Sequence, residues 1–285
     1  MRRLFSRLLP SSMRSGAVTI PVIRLHGAIM AGSTQFRQNL SLATTAGLIE
    51  KAFAHKTAPA VAISINSPGG SPVQSRLIYK RIRDLAEEKN KRVIVFVEDV
   101  AASGGYMIAL AGDEIIADPS SVVGSIGVVS AGFGFQDLIK KIGVERRVHT
   151  AGQNKAILDP FQPEKKEDVE RLKSLQLEIH ETFIDMVTSR RGSRLREHPD
   201  LFTGMFWTGK TGLELGLVDG LGDMRTFLKQ RYGQKTRLQL VSMPRGIFGR
   251  KLGIFGSSAP AIAASAADGL LDAATERTLW SRFGL

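Results

Sequence analysis

Two short apolar runs in this chain each end in a glycine-rich turn and then lead into a helix. Residues 61–66, VAISIN, stop at the turn SPGG at 67–70, and residues 93–97, VIVFV, reach SGG at 103–105 after a turn at 98–102. Runs of this length that are rich in β-branched residues predict buried strands. Strands that alternate with helices usually pair in parallel, because the helix returns the chain to the starting edge of the sheet. The repeated unit therefore predicts an α/β fold.

The rest of the chain continues the alternation of strands and helices. Apolar residues spaced by three or four predict helices, and short runs of β-branched residues predict strands. We predict strands at 18–30, 114–117, 122–129, 145–150 and 238–241, and helices at 41–56, 72–90, 106–111, 135–142, 163–191, 209–220 and 224–232.

Composition removes several classes of function. The 285 residues include no cysteine, which excludes disulfide frameworks, thiolate catalysis and cysteine-ligated zinc. The net charge of +12 is spread along the chain without a basic stripe interleaved with aromatic residues, so we expect no nucleic-acid partner. No run of about 20 apolar residues occurs, and we expect no transmembrane helix. We also expect no metal and no cofactor.

The two ends of the chain differ in composition from its middle. Residues 1–17 form a basic tail with four arginines among short apolar runs, and residues 244–285 are rich in glycine, serine and alanine. We expect one domain at 18–243 between two tails, with a loose linker at 244–267 and a terminal helix at 270–280. The basic tail is either frayed or in weak contact with an anionic membrane surface.

The first glycine-rich turn has the features of a site that binds negative charge. Asn66 ends the strand, and the paired Gly69 and Gly70 permit positive φ angles and a close approach of the backbone to a bound group. Amides at the start of the next helix lack intrahelical acceptors and point outward, as in an oxyanion or phosphate cradle. A simple left-handed turn would use the same residues, so this segment alone leaves both interpretations open.

The second turn presents a serine at the entrance to a helix. Ser103 has small residues on both sides, which would expose its Oγ, and the amide of Gly104 could stabilise an oxyanion on an attacked carbonyl group. Serine is also a frequent helix N-cap. The turn therefore fits either a nucleophile or a cap.

A serine nucleophile needs a base. None of the five histidines lies in a glycine-rich turn, because two fall on predicted strands and three in or near predicted helices. Lys155 lies in a loop with few other charges, directly after the predicted strand at 145–150. Lysine as a residue type acts as a general base when it is desolvated. In isolation, a lysine in such a loop is more often an ordinary surface residue.

Taken together, these segments resemble the signal peptide peptidase A family, which includes the SohB proteases and belongs to the S49 serine peptidases. The matching segments are 66–70, 102–106, 123–128 and 152–155. The similarity extends over about 18–241, and the 52-residue separation of Ser103 from Lys155 is similar to that of single-domain members. The domain at 18–243 is therefore expected to be an S49 peptidase domain.

The resemblance implies a fold similar to that of Clp proteases and crotonases, a spiral of ββα units whose strand-to-helix turns line the active site. It implies a Ser-Lys dyad, with Ser103 as nucleophile and Lys155 as general base, buried and within hydrogen-bond reach of Ser103. It also implies oxyanion-hole amides at Gly70 and Gly104. Ser125 matches the hydroxyl that steadies the lysine ammonium.

The resemblance further implies partners and a location. Family members form rings with an inward-facing catalytic chamber and degrade hydrophobic segments, above all cleaved signal peptides, so we expect peptide substrates and a homo-oligomeric ring. Family members usually carry an N-terminal membrane anchor, and many carry a second copy of the domain. This sequence shows neither, and we expect a cytoplasmic protein that contacts the membrane only at its surface.

Other functions remain open for this fold. Clp proteases use a Ser-His-Asp triad, but residues 124–131 include no histidine. Crotonase-type enzymes carry out acyl-CoA chemistry with a similar pair of amides and use a Glu or Asp as acid or base. A non-catalytic scaffold would keep the fold without the chemistry. The presence of Ser103 and Lys155 together favours the peptidase over both.

Overall fold

The computed structural model describes residues 17–32, 39–242 and 277–285. In these residues the chain has the mixed α/β fold that the sequence predicts. The strands are β1 (Thr19–His26), β2 (Ala60–Ser67), β3 (Arg92–Ala102), β4 (Glu114–Ala117), β5 (Val122–Gly124), β6 (Phe206–Thr208), β7 (Gly220–Leu221) and β8 (Arg237–Leu240). The helices are α1 (Leu42–Phe53), α2 (Pro72–Glu88), α3 (Gly104–Ala109), α4 (Gln136–Lys141), α5 (Lys166–Arg191), α6 (Gly209–Glu214) and α7 (Met224–Tyr232). A 3₁₀ turn at Gly192–Arg194 follows α5.

The eight strands form one sheet that branches at β3. The main path has the order β6-β5-β3-β2-β1-β8, and β4 pairs with β3 and β7. Ile94–Val97 of β3 pair with β4, whereas Val100–Ala102 pair with β5. Between these two segments, the pairing of β3 with β2 shifts its register, at Ile65 to Ser67 of β2. All pairs are parallel except β5 with β6. The branch carries the end of β3 to β5, directly before residue 103.

The two faces of the sheet pack against different helices. Successive strand residues point to opposite faces. Ile63 and Val95 lie on the face covered by α1, α2, α3 and the C-terminal half of α5, which together form the larger core. Ala62 and Ile94 lie on the other face, which α7 covers through Leu228. The larger core therefore supports the carboxyl ends of β2 and β3, where the two glycine-rich turns begin.

Several predicted elements differ from the structure. Residues 98–102, predicted as a turn, continue β3 because they gain β5 as a partner. Residues 145–150, predicted as a strand, pair with no described strand, and an isolated strand leaves its amides and carbonyls unbonded. The strand predicted at 122–129 ends at Gly124, because Ser125 has a positive φ of 52°. β6 and β7 were not predicted, since runs of two or three residues have no measurable periodicity.

Residues 129–165, which we call the arm, have no core. None of them is fully buried, and α4, which lies in the arm, has no buried residue. The apolar side chains that are more than half exposed here are Val129, Phe133, Leu138, Ile142 and Val144. Local contacts hold the arm together: the rings of Phe133, Phe135 and Phe161 pack in sequence, and Arg146 pairs with Asp159 at 3.3 Å. The arm thus exposes apolar surface that the described residues leave uncovered.

The predictions for the ends of the chain fall largely outside the described residues. The basic tail up to residue 16, the linker at 244–267 and most of the helix at 270–280 lie there. The domain bounds, the membrane contact of the tail and the cytoplasmic location therefore stay predictions. Within the described ranges, residues 277–281 are helical, and none of the helices has both the length and the apolar character needed to cross a bilayer.

Candidate active site

Ser103 lies at the junction of β3 and α3 in a backbone conformation that few residues other than glycine adopt. Its φ is 51° and its ψ is −122°. Its amide donates to the carbonyl oxygen of Gly124 at 2.9 Å, so β5 holds the turn from one side. The hydroxyl makes no capping hydrogen bond to α3, which argues against the N-cap interpretation. The turn therefore presents a half-buried hydroxyl that is not engaged in local structure.

Two backbone amides lie beside Ser103 without a bonding partner. The amides of Gly70 and Gly104 have no hydrogen-bond acceptor among the residues that the structure describes. Both residues line the cleft in front of Ser103. A Cβ added to Gly104 would lie 3.3 Å from the nitrogen of Gly70, which shows how closely the two turns approach. Unbonded amides at one cleft can together bind a carbonyl oxygen that is gaining negative charge.

The close approach of the two turns requires glycine at position 69. Gly69 has a φ of 102°, and a Cβ there would lie 2.9 Å from the carbonyl oxygen of Ala102, the nitrogen of Gly104 and the Cβ of Ser103. Separations below 3 Å are absent from real structures, so a larger residue would push the turns apart. Gly70 has a φ of 138°, and a Cβ there would lie 2.1 Å from the carbonyl oxygen of Ile29, so packing requires glycine at both positions and Gly70 also offers its amide.

A narrow cleft in front of Ser103 adjoins a larger apolar groove. The cleft has a volume of about 20 Å³ and is lined by Gly70, Pro72, Ser103, Gly104, Met107, Gly127, Val128, Ile179 and Phe183. The groove, of about 190 Å³, shares Pro72, Met107 and Ile179 with the cleft and adds Val73 and Leu77. No sequence signal predicted that Ile179 and Phe183, both on α5, would line the cleft at Ser103.

Lys155 is not part of this cleft within one chain. It lies in an exposed turn of the arm, and its side chain forms no hydrogen bond or ion pair with any described residue. The burial expected for Lys155 beside Ser103 is therefore not seen in the single chain. Ser125 is buried next to Gly124, and its amide donates to the carbonyl oxygen of Met205 at 2.8 Å. The structure brings Ser103 and the two amides to one cleft, places Ser125 next to the residue that holds the amide of Ser103, and leaves Lys155 at the surface.

Acidic and histidine side chains are absent from the lining of the cleft in the described part of the chain. His180 lies behind its wall, where its Nε2 is 3.1 Å from the carbonyl oxygen of Ile126. Within the same described residues, no group of three His, Asp or Glu side chains could hold a metal ion. The lining therefore offers a hydroxyl and amides, without a carboxylate of the kind that crotonase-type chemistry uses.

Sequence comparisons agree with this geometry. Residues 86–236 match the model of Peptidase family S49. The chain is 36% identical over 201 residues to the probable protease SohB of Buchnera aphidicola, across 69% of this chain and 65% of that protein. It is 68% identical over 287 residues to a Brucella abortus protein named Na(+)/H(+) antiporter NhaA, across 99% of this chain. The chain spans only 39% of the length of that Brucella protein.

The fold has a counterpart among solved structures. It is similar to a mutant of the membrane-bound stomatin-specific protease 1510-N, with a TM-score of 0.50 across 80% of this chain and 99% of that one. The sequence identity is 16%, so the similarity concerns the fold alone. Together with the family match, it confirms the predicted Clp protease/crotonase-like spiral.

Proposed function

Because this chain belongs to peptidase family S49, we propose that it is a serine endopeptidase with Ser103 as its nucleophile. The observation that carries the proposal is the meeting of the two turns, which places an unengaged hydroxyl beside two unbonded amides. Acyl transfer needs a nucleophile and, about 3 Å from the reacting atom, donors for the oxyanion. Ser103, Gly70 and Gly104 would supply these two parts.

The proposed reaction proceeds through an acyl-enzyme. The Oγ of Ser103 attacks the carbonyl carbon of the scissile peptide bond, while a base removes the hydroxyl proton. The carbonyl oxygen becomes an oxyanion, which the amides of Gly70 and Gly104 stabilise. The proton passes to the leaving amine as the carbon–nitrogen bond breaks. Water then attacks the ester carbon, and the same base accepts a proton from the water. The base returns this proton to the Oγ of Ser103 as the ester bond breaks, which releases the carboxylic acid and regenerates Ser103.

We assign the role of base to Lys155 in an assembled form of the protein. A lysine in water keeps its proton at neutral pH, so a lysine base must be desolvated. In one chain, Lys155 is exposed and unpartnered, and the arm that carries it exposes apolar side chains such as Ile142 and Val144. A second copy packed on the arm would cover both. These features support a homo-oligomeric ring, in which Ser125 would orient the lysine.

The groove beside Ser103 supports peptides with apolar side chains as substrates. Leu77, Met107 and Ile179 line it, and Arg76 is the charged residue at its edge. Apolar grooves bind apolar side chains by removing their surface from water, at about 25 cal/mol per Å². Cleaved signal peptides, which consist largely of apolar residues, would fit this requirement.

The name of the Brucella relative raises a second function, ion antiport, which the site does not support. The aligned part of this chain includes the S49 match and the turn at Ser103. That alignment covers 39% of the Brucella protein. We propose that the antiporter name refers to the part of that protein outside the alignment.

Labelling and digestion together test the proposal. The full chain is treated with a serine-directed phosphonate, and a peptide library is digested by wild type, Ser103→Ala and Lys155→Arg, with mass spectrometry as the readout. We expect one adduct, on Ser103, and cleavage beside apolar residues by the wild type alone, since arginine stays protonated. Cleavage by Ser103→Ala would rule out the nucleophile, and full activity of Lys155→Arg would rule out the base.

A further inference from the structure

Three consecutive carbonyl groups at the end of α3 are bound by two arginines. Arg190, on α5, donates from Nε to the carbonyl oxygen of Leu110 and from Nη2 to that of Gly112, each at 2.9 Å. Arg83, on α2, donates to the carbonyl oxygen of Ala111 at 3.1 Å. A helix of six residues gains little from its own hydrogen bonds. The position of α3 therefore depends strongly on what binds its ends.

α3 connects these arginines to Ser103. All six of its residues are buried, and the amide of Met107 donates to the carbonyl oxygen of Ser103 at 3.0 Å. In the same turn, the hydroxyl of Tyr106 donates to the carbonyl oxygen of Leu217 at 2.7 Å. At 1.5 Å per residue, Leu110 lies about 10 Å from Ser103 along the helix. Because a close-packed interior transmits displacement, a shift at Leu110 would reach Ser103.

The backbone that presents Arg190 is itself fixed by the next residue. Arg191 has a side chain that is 1% exposed, and it forms two hydrogen bonds to the carboxylate of Asp219, at 2.8 and 2.9 Å. Its Nε also donates to the carbonyl oxygen of Gly216 at 2.7 Å. The C-terminal end of α5 is thus an anchored point, and the side chain of Arg190 extends from it to α3.

Asp113 offsets one of the two positive charges of the arginines. Its Oδ1 lies 2.8 Å from Nη1 of Arg83 and 3.8 Å from Nη2 of Arg190. Its Oδ2 accepts a hydrogen bond from the amide of Val93 at 2.8 Å, which ties the cluster to the start of β3. The two arginines and Asp113 therefore hold the end of α3 from two helices and from β3.

We infer that Arg190 is a positioning residue, which sets the placement of Ser103 through α3 without touching Ser103 or substrate. The inference rests on the proposed role of Ser103 as nucleophile. A misplacement of about 1 Å lowers enzymatic rates about 100-fold. We therefore expect Arg190→Ala to lower kcat and the rate of phosphonate labelling at Ser103 by about 10-fold to 100-fold, with KM nearly unchanged.

Lys91 provides a matched control for loss of stability alone. Its Nζ donates to the carbonyl oxygens of Phe53 and His55 at the end of α1, a helix that does not carry Ser103. Lys91→Ala thus removes two bonds from a cation to carbonyl groups, as Arg190→Ala does. We expect both variants to lose thermal stability, and only Arg190→Ala to lose labelling rate. Arg190→Lys, which keeps the charge but not the fork of donors, should fall between wild type and Arg190→Ala.

Guanidinium ion separates positioning from damage to the fold. Because the side chain of Arg190 is 24% exposed, a guanidinium ion can enter the space that Arg190→Ala leaves and bind the same carbonyl groups. We expect guanidinium, well below denaturing concentrations, to raise the labelling rate of Arg190→Ala and not that of Lys91→Ala. The inference would be wrong if folded Arg190→Ala were labelled at the wild-type rate, or if Arg190→Ala and Lys91→Ala lost labelling rate to the same extent. Neither outcome would contradict the proposed function. Absence of an adduct on the wild-type protein would instead overturn the proposed function.

Discussion

The hydroxyl of Ser103 is free because its backbone is held in a conformation that suits glycine better than serine. The φ of 51° with a ψ of −122° lies outside the regions that side chains ordinarily allow. Residues held in such regions cost on the order of 1–3 kcal/mol each, and they persist only where the surroundings enforce them. Here the enforcing contacts are the bond to Gly124 on one side and Gly69 packed against the turn on the other.

This strain predicts an unusual order of stability for two variants of Ser103. Ser103→Gly should be more stable than Ser103→Ala by about 1 kcal/mol, because glycine adopts this conformation without a Cβ clash. Urea unfolding of the two variants gives the difference directly. Ser130, which is exposed and has an ordinary φ, is the control: there the glycine variant should be no more stable than the alanine variant. Equal stabilities at position 103 would contradict the strain.

A methyl group at Gly104 should damage the proposed oxyanion site. Its Cβ would lie 2.4 Å from the Oγ of Ser75 and 3.3 Å from the nitrogen of Gly70. Since loss of one oxyanion donor costs about 100-fold in kcat, we expect Gly104→Ala to lose about that factor. Adding Ser75→Ala removes the closest clash and should restore part of the activity. Gly132→Ala, where the new Cβ meets nothing within 4 Å in its own chain, is the control for adding a methyl group to a glycine and should keep the wild-type thermal midpoint.

At the scale of elements, α5 links the cleft to the rest of the molecule. Ile179 and Phe183 line the cleft, and Phe183 is buried in the larger core. Two turns further on, Arg190 and Arg191 anchor the helix to α3 and to Asp219. One helix thus forms a wall of the site and fixes the end of the helix that begins beside Ser103. Its N-terminal half exposes Leu175 and Leu177, so only its C-terminal half packs on its own domain.

The ion pair at the end of α5 predicts how stability depends on pH. Burial alone would raise the pKa of Asp219, but the hydrogen bonds and charge of Arg191 and the amide of Ile115 outweigh it, and the pKa is lowered from 3.8. A lowered pKa contributes stability that is fully present above about pH 4 and is lost as pH falls through the lowered value. Urea unfolding of the wild type should show this loss on acidification.

Asp219→Asn isolates that contribution. It leaves the buried guanidinium of Arg191 without its partner, which costs about 3–5 kcal/mol at neutral pH. Because the asparagine does not titrate, acidification below about pH 5 should lower the free energy of unfolding of Asp219→Asn less than that of wild type. Asp200→Asn, at an exposed acidic residue without an ion pair, is the control and should behave as wild type. Equal acid sensitivity of Asp219→Asn and wild type would contradict the assignment.

The sequence predicted most elements and indicated the turn at Ser103, but it did not predict that Lys155 would lie outside the cleft of the single chain. Strands β2 and β3 and helices α2 and α5 have strong periodicity, and the glycines at 69, 70 and 104 indicated where backbone and bound group approach closely. Arg190 looked like one charge among many on a long helix, since no pattern tells which charged residue of a helix turns inward. Lys155 was predicted to be buried beside Ser103, and the single chain exposes it, because burial of a loop depends on what packs against it.

At the scale of the whole molecule, the described chain consists of the arm, which has no core, and the described residues outside the arm, the body, which have two. The arm carries Lys155 together with several exposed apolar side chains. Exposed apolar patches commonly mark surfaces where proteins associate. In the proposed ring, a second copy would cover the apolar side chains of the arm that the body leaves exposed.

Charges on the arm should therefore dissociate the assembly and abolish activity together. Ile142→Asp with Val144→Asp places two carboxylates where we expect apolar contact between copies. We expect light scattering to shift from an oligomer to a single copy at micromolar concentration and peptide hydrolysis to be lost. Circular dichroism and the thermal midpoint of the body should be unchanged. Leu213→Asp, at a partly exposed apolar residue outside the arm, should keep both the assembly and the activity.

A monomer in the wild-type preparation that hydrolyses peptides as fast as the oligomer would contradict this proposal. So would an arm variant that stays assembled and active. Either outcome would require a base for Ser103 from within one chain, although the cleft lining described above offers none.

Because the arm has no core of its own, the proposed assembly makes activity depend on protein concentration. On the proposed arrangement, a newly synthesised copy folds with its nucleophile in place and its base still in water, and it leaves surrounding proteins intact. Hydrolysis begins only when copies meet, so total activity rises more steeply than protein concentration and collapses on dilution. The number of copies present would then act as the switch between a harmless protein and a degrading one.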